Sequence, residues 1–368
     1  MVADTIRRDA AVTVRHETDF DLADEAYRDL FARADATAFQ DERWLVPFFR
    51  NLAPSRGAEP VIVTGRGEDG ALLFVLPMTL RTVSGCRLLE AADLGVCDYC
   101  APVVDTAFAA SLSGNHVLAD QVAAALPAHD VLRIRNIREE HVAAWRPFFR
   151  DEAKGLGFSA HEAQLGNDYA AWRKSALTPS FTKYLDRRKK RFLKAGDVRL
   201  ERIGDPAEAA DAIAALADLR EGRFDGDMIR LGAVRDFYAT VAASGASDGF
   251  TVTYKLTFDG QPVGYVFGAS THGRFHYLLI GCDYETFGRH SPGLVMYDLI
   301  IGDWIASGGS LFDFTIGDEP FKADYGTRAV PVFGIEAART VIGRLAITAR
   351  EAGASLRKLR DGAWRGAG

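Results

Sequence analysis

The sequence predicts an α/β fold with mixed sheets, arranged as two similar units in tandem. Its 368 residues are enough for two domains of ordinary size. Helix-type and strand-type patterns of apolar residues follow one another along the chain. A hairpin signal occurs twice, because Asp69-Gly70 separates two strand-type runs and Asp259-Gly260 does so again 190 residues further on. We therefore expect one architecture to be repeated.

The first half starts with helical spacing and continues with strands. Predicted helices cover residues 21–34, 41–52 and 117–126, and predicted strands cover 60–65, 71–80, 87–94, 101–105 and 131–137. The hairpin is thus followed by a strand, an extended segment, a helix and a final strand.

The second half repeats this order. Predicted strands cover 250–258, 261–270, 275–282 and 310–316, and a predicted helix covers 294–306. We expect the stretch 151–178 to connect two duplicated units, with chance recurrence of Asp-Gly hairpins as the alternative. The predicted limits are 1–165 for the first unit, 166–345 for the second and 346–368 for a C-terminal helix or tail.

Charge and composition exclude several classes of protein. Forty-four basic and fifty acidic residues give a net charge of −6, which disfavours a dedicated DNA-binding protein. The longest nearly apolar run, 294–306, contains Asp298 and Asp303 and is too short to span a bilayer. Residues 1–11 lack the apolar core of a signal peptide, so we expect a cytoplasmic protein.

The four cysteines are too few for a disulfide scaffold, and we expect them to be reduced. Cys97 and Cys100 have CxxC spacing, but a zinc site would need two more ligands, and neither a second CxxC nor a spaced histidine pair supplies them. We therefore expect no metal.

The junction between the strand 275–282 and the helix 294–306 is the strongest local signal. Ser291 is predicted to cap that helix, Pro292 suits its first turn, and Gly293 lets the backbone approach a ligand. Unpaired N–H groups at a helix start bind anions, so the junction predicts a pyrophosphate site. Its predicted cofactor-binding residues are Gly288, Arg289, Ser291, Gly293 and Leu294. An ordinary capped helix is the alternative.

Two neighbouring segments carry further titratable groups. Asp313, Asp318, Glu319 and Lys322 fall near the carboxyl end of a predicted central strand, where open α/β sheets bind ligands. His276, on the preceding strand, is a candidate base near neutral pH, and a structural histidine is the alternative.

A basic amphipathic segment covers residues 180–194. It indicates contact with anionic lipid, a nucleotide or tRNA, and a solvated helix is the alternative. The sequence contains no GxxxxGK[ST], GxGxxG or GxSxG motif, which disfavours nucleotide hydrolysis, dinucleotide redox chemistry and an α/β-hydrolase.

Taken together, the motifs from about Phe39 to Tyr325 resemble the GNAT-type acyltransferases of the CelD (cellulose-biosynthesis protein) group, related to the Fem peptidoglycan aminoacyltransferases. The motifs are Phe39-Gln40-Asp41-Glu42-Arg43-Trp44, Cys97-Asp98-Tyr99, the basic helix 187–193, Asp259-Gly260-Gln261-Pro262-Val263-Gly264, Gly281-Cys282-Asp283, Ser291-Pro292-Gly293-Leu294, Phe312-Asp313-Phe314, and Gly317-Asp318-Glu319 with Lys322.

The resemblance implies two tandem GNAT-like domains, the first on the acceptor side and the second binding acyl-CoA or acetyl-CoA. The family's pyrophosphate loop, [QR]xxGx[GA], falls on Gly288, Ser291 and Gly293, where two of three positions differ and Pro292 removes one N–H donor. Related enzymes have tyrosine where this chain has Phe321, and Tyr325 is the nearest substitute.

From the resemblance we expect transfer of an acetyl or longer acyl group to an amine, less readily a hydroxyl, by direct attack. Acceptors in this group include cell-envelope and polysaccharide precursors and sphingoid bases. His276 or Asp98 is the expected base, Lys322 or Tyr325 the expected acid, and Cys282 a less favoured nucleophile. The expected substrate-binding residues are Tyr99, Asp283, Asp313, Asp318 and Glu319.

Two other readings stay open. One is a Fem-like transferase that uses aminoacyl-tRNA, with the basic helix holding the RNA. The other is a non-catalytic protein that binds a cell-envelope assembly. In the favoured reading the partners are a small-molecule or lipid acceptor, without DNA, and the basic helix touches the anionic surface of the inner membrane.

Overall fold

The computed structural model describes residues 12–112, 117–223 and 226–365, with side chains as far as Gly353. Residues 1–11, for which we expect no signal peptide, and the last three residues of the predicted tail lie outside the described residues. The described chain is a mixed α/β structure, as the sequence predicts.

Strands and helices alternate along the chain. The strands are β1 Thr13–Glu17, β2 Ala58–Arg66, β3 Leu72–Val83, β4 Cys86–Ala91, β5 Val103–Val104, β6 Val131–Arg138, β7 Lys154–Gln164, β8 Val198–Ile203, β9 Thr251–Phe258, β10 Gln261–Thr271, β11 Arg274–Cys282, β12 Leu311–Ile316 and β13 Arg328–Ala338. The helices are α1 Glu25–Arg33, α2 Glu42–Pro47, α3 Ala53–Ser55, α4 Thr106–Ser111, α5 Val117–Ala125, α6 Val142–Trp145, α7 Tyr169–Ala176, α8 Pro179–Ala195, α9 Pro206–Leu219, α10 Gly232–Gly245, α11 Tyr284–Phe287, α12 Pro292–Ala306, α13 Pro320–Asp324 and α14 Val341–Arg365.

Contacts group the chain into two compact units. The first contains Met1–Ala36, Ala53–Lys154 and Phe333–Gly368, and the second contains Thr37–Leu52 and Gly155–Val332. The predicted limits, 1–165, 166–345 and 346–368, describe duplicated domains and stay predictions. The contact grouping places Thr37–Leu52 in the second unit because the Trp44 ring packs edge-on against Phe237, with ring centroids 5.2 Å apart.

The first unit has a mixed sheet in the order β1-β2-β3-β4-β6. Its pairs are antiparallel except β4 with β6, which run parallel over three positions, Leu88–Glu90 against Val131–Arg133. The β2–β3 hairpin is confirmed, but its connection is longer than a two-residue turn and covers residues 67–71. The pairing of β2 with β3 shifts by one residue between Gly65 and Arg66, directly before this longer connection.

The second unit has a sheet in the order β7-β12-β11-β10-β9-β8. The β9–β10 hairpin is confirmed as a tight turn, since Asp259 and Gly260 both have positive φ, 50° and 78°. The parallel pair is β11 with β12. The order of hairpin, strand, helix and parallel strand therefore recurs, and tandem units are part of the observed fold.

Helix α12 lies in the core of the second unit. It is apolar on nearly all sides, and Val295, Met296, Ile300 and Ile301 are almost fully buried. The inner face of α8 packs on the same core through three side chains that are also buried: Phe181, Leu185 and Phe192. Burial of each large apolar side chain contributes about 1.5–3 kcal/mol, which fixes both helices against the sheet.

The stretch 151–178 is more structured than a connection. It contains β7, which pairs with β12 through Phe312–Ala163, and it contains α7. The prediction missed β7 because its sequence has Gly155 and Gly157 and little alternation of apolar residues. Across the described ranges, no helix combines the length and apolar character needed to cross a membrane.

Candidate functional site

The parallel ladder between β11 and β12 is short. It joins Arg274–His276 to Leu311–Asp313, and residues 277–282 of β11 continue without a β12 partner in the described part of this unit. A bulge in the pairing of β10 with β11 falls at the same level, between Phe267 and Gly268. The sheet therefore opens directly after His276.

His276 and Asp313 lie at this opening and face each other. The Nδ1 atom of His276 is 3.6 Å from Oδ2 of Asp313, and the side chains are 1% and 0% exposed. The Phe39 ring packs edge-on against the imidazole, with ring centroids 5.7 Å apart. A carboxylate at this place holds the imidazole ring and offsets a positive charge that forms on it, which suits a base.

Asp313 is itself fixed by two donors. The Nη1 atom of Arg274 lies 2.9 Å from its Oδ2 atom, and the Thr315 N–H donates to Oδ1 at 2.8 Å. Arg274 also pairs with Glu162 on β7 at 2.9 Å, and Glu162 is bound from the other side by Arg328. This ion network holds the carboxylate that faces His276.

The predicted pyrophosphate loop folds as α11 followed by a single 3-10 turn over Gly288–His290. Ser291 precedes α12 with φ 54°, in the left-handed region, and its side chain does not cap the helix as predicted. Its Oγ atom instead shares a hydrogen bond of 3.1 Å with the hydroxyl of Tyr184 on α8. The left-handed backbone turns the side chain away from the helix N–H groups.

At the start of α12, two backbone N–H groups form no hydrogen bond within the helix. Pro292 has none, and the first intrahelical bond runs from the Val295 N–H to the Ser291 carbonyl, so Gly293 and Leu294 donate to no residue within the helix. Gly293 is required by packing inside the protein, because a Cβ there would lie 2.4 Å from the Tyr284 hydroxyl.

An arginine cluster, defined here as Arg188, Arg191 and Arg289, surrounds this loop. Arg188 donates to the Arg289 carbonyl, and Arg289 Nε donates to His290 Nε2 at 3.0 Å. Burial lowers the pKa of His290, and the charges of Arg289, Arg191 and Arg188 lower it further. Within the described ranges none of the three arginines pairs with a carboxylate, so the cluster carries positive charge that no carboxylate offsets.

The positive charge of the neighbouring arginines also affects Tyr184. Its hydrogen bond with Ser291 lowers the pKa of its phenol, and Arg188 and Arg187 lower it as well. The guanidinium of Arg188 lies 5.0 Å from the centre of the Tyr184 ring. The loop, α8 and the start of α12 therefore form one positively charged corner.

The remaining predicted carboxylates of the second unit have partners within the protein. Asp283 caps α11 by accepting from the Thr286 N–H at 2.9 Å. Asp318 pairs with His161 at 2.9 Å, and Glu319 pairs with Lys322 at 2.9 Å. Asp318 and Glu319 are about half exposed, and their substrate-binding role stays a prediction.

Lys322 and Tyr325 are buried rather than open to a ligand. The Lys322 ammonium donates to the carbonyls of Ile316 and Gly317, each at 2.9 Å, and is 3% exposed. The Tyr325 hydroxyl donates to the Leu294 carbonyl at 2.7 Å, and burial holds its pKa well above the usual range. The ammonium protons of Lys322 and the hydroxyl proton of Tyr325 thus serve hydrogen bonds that shape the loop after β12 and the start of α12.

Asp98 and Tyr99 lie in the first unit. Tyr99 is buried, with the Arg138 guanidinium 4.7 Å from its ring centre, and Asp98 is half-buried. A role for Asp98 as the base stays a prediction.

The cysteines are buried thiols. Burial raises the pKa of Cys282 to about 12, so its thiol is protonated at neutral pH and is a poor nucleophile. Cys97 donates to the Ala92 carbonyl, and all four cysteines are free. Among the residues that the structure describes, no group of three or more metal-ligating side chains comes together.

Sequence reasoning missed several residues of the site. Arg188 and Arg191 were seen only as part of a basic helix, although their spacing by three places them on the side of Tyr184. Glu162 was missed because it lies in the stretch read as a connection. Arg274 begins the strand that carries His276, and alternation along that strand could have placed the two on one side.

Comparison with known proteins agrees with this geometry. A family model for the acetyltransferase (GNAT) domain matches residues 179–323, which contain α8, the opened ladder and the arginine cluster. No curated protein matches the chain in sequence. The chain therefore has a GNAT-type acyltransferase fold over its second unit, and the expectation of that fold is confirmed; the CelD group stays a prediction.

Solved structures match nearly the whole chain at low identity. FemX is 12% identical with a TM-score of 0.59, covering 86% of this chain and 96% of its own. L-PGS from Bacillus licheniformis is 12% identical with a TM-score of 0.54, covering 91% and 98%. The C-terminal domain of a putative lysylphosphatidylglycerol synthetase from Agrobacterium fabrum is 14% identical with a TM-score of 0.53, covering 88% and 93%. These likenesses concern the fold.

Proposed function

We propose that the protein transfers an acetyl or longer acyl group from acyl-CoA to an amine, less readily a hydroxyl, by direct attack. The observation that carries this proposal is the arginine cluster, which lies unpaired at the start of α12. The proposed acceptor is a cell-envelope or polysaccharide precursor or a sphingoid-base-like lipid. No metal takes part in this proposal.

The residues around α12 fit a diphosphate. Arg188, Arg191 and Arg289 supply positive charge without a carboxylate of their own, and the N–H groups of Gly293 and Leu294 add two donors. Gly288 and Ser291 give the loop the turn that brings these donors together, since the Ser291 N–H bonds to the Gly288 carbonyl at 3.0 Å. In this proposal the diphosphate of coenzyme A binds there.

His276 is the proposed base. It takes a proton from the amine as the amine nitrogen bonds to the thioester carbon; the carbon–sulfur bond then breaks and the thiolate takes a proton from water. Asp313 stabilises the protonated imidazole, and N–H groups on the open edge of β11 stabilise the developing oxyanion. We propose a positioning role for Lys322 and Tyr325 in place of proton donation, while Asp98 and Tyr99 stay candidates for acceptor binding.

Calorimetric titration with coenzyme A and acetyl-CoA tests the donor site. We expect Arg191→Ala and Arg289→Ala each to weaken binding about tenfold or more, because each removes a charge-assisted contact to phosphate. Arg199→Ala is the matched control, since Arg199 lies exposed on β8 and pairs with Asp197 at 2.7 Å. Binding that is absent in the unaltered protein, or equal in all three variants, contradicts the proposal.

One observation favours a second candidate, an aminoacyl-tRNA-dependent transferase. Four cations on α8, defined here as the basic stripe, are Lys183, Arg187, Lys190 and Lys194; all are exposed and, among described residues, none pairs with a carboxylate. RNA binding would weaken steeply with added salt, whereas coenzyme A binding would weaken less, so a salt series separates the two candidates.

The basic stripe also supports peripheral contact with an anionic membrane. It faces away from Phe181, Leu185 and Phe192, which are the buried side of the same helix. Each Lys or Arg near an anionic surface contributes about 1 kcal/mol. We propose a cytoplasmic protein that touches the inner membrane through this stripe.

A further inference from the structure

A cavity of about 640 Å³ lies between α7 and the first turns of α8 in the second unit. None of the predicted site residues lines it. Its apolar wall comes from Ala170, Leu177, Pro179 and the ring of Tyr169. A cavity of this size accommodates a small organic group.

Some of the charged side chains that line the cavity have a partner of opposite charge, and others do not. Arg173, on the inner side, is shared by the buried Asp298 at 3.2 Å and by Asp186 at 2.7 Å. Lys174 and Lys183 are exposed at the cavity, and in the described part of the chain neither forms an ion pair. Asp298 also pairs with Lys189 at 3.1 Å, so Arg173 and Lys189 together balance the two carboxylates, and the mouth is positive.

Lys183 belongs both to this cavity and to the basic stripe, so the cavity opens at the amino end of the stripe. The stripe spans eleven helical steps, or roughly 16 Å at 1.5 Å per residue. A lipid surface that meets the stripe therefore also meets the cavity mouth.

We propose that the cavity binds the phosphate headgroup of one anionic phospholipid. Lys174 and Lys183 pair with the phosphate, and the apolar wall contacts the glycerol and the first acyl carbons. The inference rests on the proposed membrane contact and adds to it a specific site. The apolar wall favours a lipid over RNA, whose phosphates are joined by polar ribose.

Flotation with phosphatidylglycerol vesicles tests the site, with phosphatidylcholine vesicles as the neutral reference. Ala170→Trp fills the cavity without changing charge, and Ala171→Trp is the matched control, because Ala171 is exposed on the same helix outside the cavity wall. We expect Ala170→Trp and Lys174→Gln each to weaken binding to the anionic vesicles about fivefold, close to the loss of one lysine contact. Ala171→Trp should bind as the unaltered protein does.

The double variant Lys190→Ala/Lys194→Ala separates the two proposals. If it weakens binding while Ala170→Trp and Lys174→Gln do not, the membrane contact stands and the headgroup site is refuted. If the unaltered protein ignores anionic vesicles, both proposals fail.

Two further measurements identify the ligand, and thermal unfolding verifies that each variant is folded. Inorganic phosphate that stabilises the protein as strongly as a short-chain phosphatidylglycerol does, with the effect lost in Ala170→Trp and in Lys174→Gln, would assign the cavity to free phosphate instead. A short RNA whose binding is lost in Ala170→Trp, with vesicle binding kept, would assign it to RNA. Should Ala170→Trp unfold, Lys174→Gln alone decides between these outcomes.

Discussion

At the scale of single residues, His276 shows how burial and a neighbour give a side chain a chemical role. Its ring lies where the β11–β12 ladder ends, and Asp313 faces it at 3.6 Å. Asp313 in turn depends on Arg274, at 2.9 Å. In the proposed mechanism, the imidazole that accepts the proton is therefore positioned by a chain of contacts that ends in the sheet itself.

We expect His276→Gln to lower kcat by roughly 100-fold or more while leaving coenzyme A binding unchanged, the usual contribution of a general base. Asp313→Asn should lower kcat less, because the imidazole keeps its place but loses the negative charge 3.6 Å from its Nδ1 atom. Transfer rates measured across pH, together with calorimetry, check both. An unchanged kcat in His276→Gln would remove it as the base.

The sequence indicated His276 and Asp313 as separate candidates but not the contact between them. Asp313 lies 37 residues away, and Glu162, which pairs with Arg274 behind Asp313, lies 114 residues away, so nothing local in the chain connects them to His276. The sequence places Lys322 near the strand end and offers Tyr325 as an acid, yet the burial of both depends on packing that spacing does not reveal. The hairpins, by contrast, follow from local turn chemistry and were predictable.

At the scale of elements, Asp298 connects three helices. It lies fully buried on α12, 3.2 Å from Arg173 of α7 and 3.1 Å from Lys189 of α8. Burial raises the pKa of Tyr169, and the nearby charge of Asp298 raises it further. The aspartate that merely interrupts an apolar run in the sequence is thus the centre of an ion cluster.

Asp298→Asn should lower the free energy of unfolding by roughly 3 kcal/mol, because two partly buried cations lose their counter-charge. Asp197→Asn is the control: its pair with Arg199 is exposed, and its loss should cost less than about 1 kcal/mol. Urea unfolding followed by circular dichroism measures both. Equal effects would mean that the cluster does not stabilise the helices.

At the scale of the whole molecule, the two units repeat more than a hairpin. Each has a parallel ladder of only three positions, and in each the second strand of that ladder has a residue with φ 56°, Asn136 in β6 and Thr315 in β12. A non-glycine residue in the left-handed region is uncommon within a strand. Its recurrence just past the ladder in both units supports duplication, which the sequence indicated through turn spacing and the matching order of elements.

The two short parallel ladders differ in the contacts made by their left-handed residues, Asn136 and Thr315. In the first unit the chain's own segment binds there: the Cys100 N–H donates to the Asn136 carbonyl, and the Asn136 amide donates to the Cys97 carbonyl, both at 2.9 Å. In the second unit the contacts come from side chains: the Thr315 hydroxyl donates to the Tyr277 carbonyl at 3.0 Å, and the Lys322 ammonium donates to the Thr315 carbonyl at 3.3 Å.

This difference between the units predicts how many coenzyme A molecules one chain binds. A unit whose opening is occupied by its own backbone has no room there for a second donor molecule, so each chain should bind one coenzyme A. Calorimetric titration should give a ratio of one, and a ratio of two would show that the segment around Cys97 yields to ligand. With a ratio of one, the duplicated units would differ in function: the second would bind the donor, and the first would have its opening filled by its own chain.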